Sequence, residues 1–299
     1  MSLNKNDICA VIVTYNPNVD HVISLINGLK HQFCDAIVID NSTYNNETLE
    51  ANEGCSYISL GSNKGIAEAQ NIGIAECLKN SYKYIIFFDQ DSKIESNFIA
   101  SLKGPMETNE YEICAPVFYD EQKGFEYAIT DIKENGRRVK HYSHGKSEIF
   151  TSSTVISSGT IVCRAIFNKV GVMDSALFID YVDTEWCLRC FSQGIKVHVI
   201  PKAKMLHSIG DNSFNFMGFC VPVHSASRRY YRVRNSIHLV RYPHVPKLLA
   251  VREVVFSIIH SFLLILTQKN KKQYASTFIY GVLDGLRNVK GENPRIFKK

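Results

Sequence analysis

The chain lacks any uninterrupted apolar run of the roughly 20 residues that a helix needs to cross a bilayer. Its longest apolar stretch, Val254 to Leu266, has 13 residues and is broken by Ser257, His260 and Ser261, which fall on one narrow helical stripe. Arg252 precedes it and Lys269, Lys271 and Lys272 follow. Such a segment reads either as a helix lying on a membrane surface or as one packed against the rest of the protein. The first seven residues, Met1 to Asp7, lack the basic, apolar and small-residue regions of a secretory signal, so a cytosolic protein is expected. A disulfide framework is also missing: the nine cysteines are odd in number and sit in apolar surroundings, as reduced, buried thiols do. Cys187 and Cys190 form a CxxC with no second Cys or His pair nearby, which argues against a metal or redox site. Acid is scarce in the last third. From residue 212 onward there are 15 Lys+Arg against 3 Asp+Glu, a balance of +12, whereas residues 1–211 carry −7. A module this basic attracts nucleic acid, anionic lipid or phosphorylated ligands.

What the chain does contain is an alternation of strands and helices. Ile8 to Thr14 is a short, nearly continuous apolar run, as expected of a parallel strand buried on both faces. Val22, Leu25, Ile26 and Leu29 then recur at helical spacing, and Ala36 to Asp40 reads as the next strand. The pattern repeats with a strand at Tyr57 to Leu60, a helix from Gly65 to Lys79, and a strand from Tyr84 to Phe88 that ends in Asp89. This order predicts an α/β fold with a mostly parallel central sheet covered by helices. A less regular part follows, with a strand at Glu112 to Val117 and β-prone pieces around Val155 to Val162. A helix is expected from Asp183 to Gln193, stopped by Gly194, and then a strand from Lys196 to Ile200. The catalytic domain is expected over 1–215, split near residue 110 into a nucleotide-binding half and an acceptor half. Residues 216–299 should form a basic helical extension, with helices at Ser225 to Val240, Pro246 to Thr267 and Lys271 to Asn288.

Ligands of open α/β sheets collect beyond the carboxyl ends of the strands. Thr14, Tyr15 and Asn16 leave the first strand, Asp40, Asn41 and Ser42 the second, Asn63 follows the third, and Asp89-Gln90-Asp91 the fourth. Two carboxylates leaving a buried strand repel each other unless a cation or a proton lies between them. Mg²⁺ or Mn²⁺ held by these aspartates and by ligand phosphates meets that requirement. A carboxylate near a helix start is often only a cap. Beside a metal site, however, Asp183 is also a candidate base for an attacking hydroxyl, with Asp180 and Glu185 as rivals. His207 is a candidate metal ligand or phosphate contact. Arg228, Arg229, Arg232 and Arg234, with Tyr230 and Tyr231 between them, suit phosphate recognition. No nucleic-acid-binding motif accompanies them.

Five segments in order resemble the family 2 glycosyltransferases of the GT-A fold. They are Val11-Ile-Val-Thr-Tyr-Asn16, Val38-Ile-Asp-Asn-Ser42, Asn63-Lys-Gly65 with Ala69-Gln-Asn71 and Gly73, Asp89-Gln-Asp91, and Asp183 to Arg189. Phe87 to Ser92 and Gly65 to Asn71 are similar to the wording of the rhamnosyltransferase branch, which implies a dTDP-L-rhamnose donor. A UDP-hexose donor is the alternative. The resemblance further implies that Thr14, Tyr15 and Asp40 hold the base and ribose, that Asn63 and Gly65 shape the nucleotide pocket, that Asp89 and Asp91 position metal and diphosphate, and that Asp183 is the general base. Many relatives carry a Glu-Asp pair where this chain has Val182-Asp183. Trp186 is the single tryptophan, so the Gln-x-x-Arg-Trp signature of processive synthases is excluded. Transfer with inversion of one or a few sugars to a polyprenyl-diphosphate-linked saccharide, at the inner face of a bacterial membrane, is the expectation. An inactive, glycosyltransferase-like scaffold is the competing one. A nucleotidylyltransferase would need a Gly-rich basic loop near the N-terminus that this chain does not have.

Overall fold

The structure, a computed structural model, describes residues 6–120, 124–145, 147–206, 213–216, 219–293 and 295. Strand β1 (Ile8–Thr14) is flanked by β2 (Asp35–Asp40) and, on its other side, by β4 (Tyr84–Asp89), with β3 (Ser56–Ser59) outside β2. All of these pairings are parallel. The register aligns Thr14 with Asp40 and Val13 with Asp89, so the polar residues that end each strand emerge along one edge. Helix α1 (Val19–Lys30) buries the predicted stripe of Val22, Leu25, Ile26 and Leu29, and Asn18 caps it by accepting from the Asp20 and His21 amides. The short α2 (Glu47–Glu50) leads into β3. Helix α3 (Ile66–Lys79) starts after Gly65, whose φ of +84° favours glycine, and crosses β1 at Gly73.

Gly73 has a steric reason. A Cβ there would stand 2.3 Å from Val11 Cγ1, in the middle of β1. Gly73→Ala is therefore expected to force α3 off the sheet and destabilise the fold by about 1–3 kcal/mol, the usual cost of overpacking a core. A thermal melt that matched the wild type would contradict this close approach.

The second half of the sheet is mixed. After β5 (Lys93–Ile94) and α4 (Phe98–Asn109) comes β6 (Ile113–Asp120), followed by β7 (Phe125–Glu126), the hairpin of β8 (Ile129–Ile132) and β9 (Arg138–His141), β10 (Phe150–Ser152) and β11 (Ile161–Cys163). Strand β11 runs antiparallel between β4 and β6 and joins the two halves. Helix α5 (Arg164–Val170) and a 3₁₀ turn at Ser175–Leu177 precede α6 (Val182–Ser192), the helix that bears Asp183. Strand β12 (Val197–Leu206) is longer than the expected Lys196 to Ile200 and pairs in parallel with β6. One core joins the residues of both halves, from Ile8 to Met205.

The hairpin of β13 (Ser213–Phe216) and β14 (Phe219–Pro222) spans the expected boundary at 215, and helix begins at α7 (Ala226–Leu239). Helices α8 (Lys247–Thr267) and α9 (Lys271–Leu286) follow, close to the expected limits. These helices are tightly joined to the catalytic half. Asn235 Nδ2 donates to the carbonyls of Leu177, Ile179 and Asp180 at 2.8, 2.7 and 3.2 Å. Arg234 donates to the carbonyls of Ala176 and Leu177, both at 3.0 Å.

Helix α8 reverses the usual amphipathic arrangement. Its polar stripe of Glu253, Ser257, His260 and Ser261 is buried against the protein. Leu248, Val251, Val255, Phe256, Ile259, Phe262 and Leu266 face outward. A water-soluble helix puts these faces the other way round. With 21 residues the helix is long and apolar enough to cross a membrane by length and composition. The helix matches the expected Pro246 to Thr267, and its longest apolar stretch remains Val254 to Leu266, since Lys247, Arg252 and Glu253 lie in its first two turns.

Candidate active site

The carboxyl edge of the parallel strands is knitted together by its own polar groups. The Tyr15 amide donates to Gln90 Oε1 at 2.7 Å, tying the end of β1 to the end of β4. Asn16, in the left-handed region at φ +47°, donates its amide to Ser42 Oγ at 2.7 Å. Ser42 gives both its amide (3.0 Å) and its hydroxyl (2.6 Å) to Asp40 Oδ1, and Tyr57 gives its hydroxyl to Asp40 Oδ2 at 2.7 Å. Asp40 is 0% exposed, and its charge is met by three donors. Burial and this bond push the Tyr57 hydroxyl up to about 12. Asn41 donates to the Gly65 carbonyl at 3.0 Å and accepts from the Lys64 amide at 2.8 Å, while Asn63 Oδ1 accepts from the Gly65 amide at 2.9 Å. The turn into α3 is thus held from both sides. Tyr15 stays exposed, and Thr14 Oγ1 is buried without a hydrogen-bond partner among the described residues.

Asn71, of the Ala69-Gln-Asn71 segment read as nucleotide-sugar-binding, points its side chain at the turn before α6. Its side chain bonds the Met173 amide and carbonyl, both at 2.9 Å, and Ser175 Oγ at 3.0 Å, which fastens α3 to the segment between α5 and α6.

Asp89 is half-buried and Asp91 exposed. The Asp89 amide donates to Ser158 Oγ at 3.1 Å, and Ser158 Oγ meets Ser92 Oγ at 3.0 Å. The neighbouring Ser157 lies close enough to Asp183 for its backbone and its hydroxyl to favour the carboxylate, and takes a bond from Gln70 Nε2 at 2.9 Å. One dipeptide therefore fixes the β4 acid on one side and the α6 acid on the other. Burial raises the Asp183 carboxyl to about 6, and the charges of Asp89 and Asp180 push in the same direction. Ser157 opposes them by stabilising the carboxylate. Sequence reasoning missed this dipeptide; its only signal was a small polar run, Ser157-Ser158-Gly159-Thr160, inside a β-prone stretch.

The acids near Asp183 differ sharply from it. Glu185 is buried, gripped by Arg189 Nε and Nη2, both at 2.9 Å, and approached by His244 Nε2 at 2.8 Å. It has no free edge to offer, so neither base nor acceptor contact fits it. Asp180 pairs with Arg228 Nη2 at 3.3 Å and with Arg232 Nη1 at 3.5 Å. Phe178, Asp180 and Tyr181 all have positive φ, +66°, +63° and +64°. Such strain persists only where surrounding structure enforces it, and here it turns the chain so that Asp183 meets Ser157.

Two of the four arginines read as phosphate contacts are interior braces instead. Arg229 is 2% exposed and donates to the Ser257 carbonyl and Ser261 Oγ, each at 3.0 Å; burial lowers it to about 10. Arg234 is 0% exposed and spends its donors on Asn235 Oδ1 and on the backbone carbonyls of Gly291, Ala176 and Leu177. Arg228 and Arg232 keep partial exposure at Asp180. His207 lies outside the described residues.

Among the described residues no group of three or more His, Cys, Asp or Glu forms a metal cage. Asp89 and Asp91 suit the other arrangement, in which one or two carboxylates hold a hard cation and ligand phosphates complete its shell. In front of Asp183 opens a cavity of about 380 Å³, walled by Phe118, Tyr127, Ile129, Ile156, Thr184 and Arg138.

The Glycosyl transferase family 2 model matches residues 9–171, a segment that contains Asp89 and Asp91 and stops before Asp183. The chain is 51% identical over 294 residues to "dTDP-rhamnosyl transferase RfbF" of Shigella flexneri, covering 97% of this chain and 98% of that protein. It is 21% identical over 318 residues to "Low-salt glycan biosynthesis hexosyltransferase Agl10" of Haloferax volcanii, covering 97% and 94%. Among solved structures it resembles GalNAc-T7 with UDP, GalNAc and Mn²⁺ (14% identity, TM-score 0.56), covering 89% of this chain but only 58% of that one. It also resembles residues 1–349 of S. aureus TarS (14% identity, TM-score 0.56), covering 97% and 82%. At such identities the structural likeness speaks for the fold alone. The match over more than half its length, and a relative at 51% identity end to end, make this chain a glycosyltransferase that belongs to family 2.

Proposed function

We propose that the enzyme moves L-rhamnose from dTDP-L-rhamnose to a lipid-linked saccharide of a bacterial surface polysaccharide, such as an O-antigen, with inversion and with help from a divalent cation. The donor rests on the 51% identity, over nearly the whole of both chains, to the rhamnosyl transferase. The mechanism rests on one observation: Ser157 and Ser158 bring Asp183 close enough to Asp89 for the two charges to interact.

Tyr15, with Thr14 and Asn63 beside it, faces the nucleotide base and ribose. Asp40, Asn41, Gln90 and Gly65 act behind that surface by holding the strand-end loops. Asp89 and Asp91 would hold Mg²⁺ or Mn²⁺, which when bound supplies positive charge against the leaving diphosphate. Asp183 takes the proton of the acceptor hydroxyl, whose own pKa lies far above neutral. The neighbouring Asp180 and Glu185 are engaged by arginines, which leaves a single base and favours one displacement over two. The test is a donor panel. With purified protein and Mg²⁺, dTDP-L-rhamnose should raise the melting temperature and be consumed with net inversion seen by NMR. Preferential turnover of a UDP-hexose would move the donor assignment, and no turnover of any sugar would favour a scaffold.

The inverted polarity of α8 supports a peripheral seat on an anionic membrane. Its apolar face points outward, Lys269, Lys271 and Lys272 stand exposed at its end, and its inner polar face is committed to the protein. A helix anchored by buried polar groups on one side lies along a bilayer rather than through it. Val255→Ser, Ile259→Ser and Phe262→Ser together remove outward apolar surface without touching the inner face. The triple variant should lose most of its co-sedimentation with anionic liposomes; unchanged sedimentation would reject the membrane seat.

A further inference from the structure

Between the cavity in front of Asp183 and the outward face of α8 lies a cluster of arginines larger than its own ion pairs require. Glu253, on the inner side of α8, is bonded by Arg138 Nη2 and by the Tyr181 hydroxyl at 3.0 Å. Arg252 Nε stands 3.8 Å from the same carboxylate and Arg232 Nη2 stands 4.0 Å from it. Arg232 and Arg228 share Asp180 at 3.5 and 3.3 Å. Four guanidiniums thus face two carboxylates. Most of these contacts are longer than a good charge-assisted hydrogen bond of about 2.7–2.9 Å, and Arg252 Nε and Nη2 have no hydrogen-bond partner among the described residues. Like charges crowd here with donors to spare.

The position of the cluster says what it is for. Arg138 walls the same cavity as Asp183, alongside the rings of Phe118 and Tyr127. On the other side, Arg252 sits one residue from Val251, whose side chain is exposed on the apolar face of α8. A ligand reaching from the base to that face meets a cavity suited to a sugar, then surplus positive charge, then apolar surface. Those are the three chemical parts of a saccharide joined through a diphosphate to an isoprenoid chain.

We infer that Arg138 and Arg252, with Arg228 and Arg232, form the site that grips the diphosphate of the acceptor. This rests on the lipid-linked acceptor proposed above and adds where its charged group is held. Arginine forks match phosphate oxygens bidentately, and two surplus positive charges match a diphosphate bridged on both sides. Glu253 then has the opposite effect: it keeps the arginines aligned in the empty site and competes with the incoming anion.

The test uses the full chain and farnesyl diphosphate as a soluble probe, titrated calorimetrically with saturating dTDP and Mg²⁺ so that the donor site is closed. Arg138→Gln and Arg252→Gln should each weaken binding at least tenfold, and Glu253→Gln should tighten it severalfold. Farnesol should bind weakly and show no dependence on these substitutions. Wild-type affinity in both arginine variants would overturn the inference, as would a Glu253→Gln loss equal to theirs, the mark of a purely structural network. Inorganic pyrophosphate binding as tightly as the probe would overturn the lipid-linked source. Melting curves with and without dTDP-rhamnose, recorded on the same variants, report folding and the donor reading separately: a charge pattern as expected without a donor-induced rise in melting temperature would fail the donor assignment and leave this site standing.

Discussion

Asp183→Asn should lower turnover by about 10³-fold while leaving the affinity for the nucleotide sugar within about twofold, because a positioned base is worth 10²–10⁴. The substitution keeps the size of the side chain and its ability to meet Ser157, so it removes the proton acceptor and little else. The pH dependence gives an independent reading. The Asp183 carboxyl is raised to about 6, and only its ionised form is a base. In the wild type, kcat/KM should therefore fall about tenfold per pH unit below 6 and level off above it, and this limb should vanish from the residual activity of the variant. Stability should move the other way. A carboxyl whose folded pKa lies above its unfolded value of 3.8 makes the folded state less stable as pH rises from about 4 through 6. Asp183→Asn removes that cost, so the variant should melt above the wild type at pH 8 and alongside it at pH 4. A variant that lost activity and melted lower at both values would be damaged rather than disarmed.

The buried strands and their polar ends were legible because the physics is local. Ile8 to Thr14 and Tyr84 to Asp89 are apolar runs closed by polar residues, and the parallel register carries those residues to one edge. The same holds for α1 and α6 to α9, whose periodicity, caps or stops lie in their own sequences. Helix α4 was not legible: Gly104 and Pro105 interrupt its pattern, and only packing of Phe98, Ile99, Leu102 and Met106 on the sheet sustains it.

What could not be read was the side each polar group would take. Arginine is normally exposed, so Arg229 and Arg234 looked like ligand contacts; the buried carbonyls that occupy them come from segments 28 and 57 residues away. The stripe of Ser257, His260 and Ser261 was visible, but a helix with one polar and one apolar stripe does not announce which of them faces the protein. Ser157 and Ser158 were missed for a related reason. Their partners, Asp183 on α6, Gln70 on α3 and Asp89 on β4, meet only when β11 is laid antiparallel between the two halves of the sheet.

Asp91→Ala should abolish the response to Mg²⁺ and cut turnover by about 10²–10³-fold, the cost of losing one preorganised charge-stabilising group in an active site. Asp91 is exposed, so this loss cannot come from the core, and the melting temperature without ligand should stay within about 2 °C of the wild type. Asp89 is the harsher position to change. It is half-buried, its amide is tied to Ser158, and its charge adds to the rise of Asp183. Asp89→Asn should therefore do two things at once: weaken cation and donor binding, and move the acid limb of kcat/KM to lower pH as one of the charges opposing Asp183 disappears. Compared without added Mg²⁺, Asp91→Ala should leave that limb where it is, since the carboxylates that raise Asp183 are Asp89 and Asp180. pH profiles of the two variants, measured on their residual activities, separate a cation site built on both acids from a pair in which Asp89 acts only on the base. Identical limbs in both would remove the electrostatic link between β4 and α6 on which the mechanism depends.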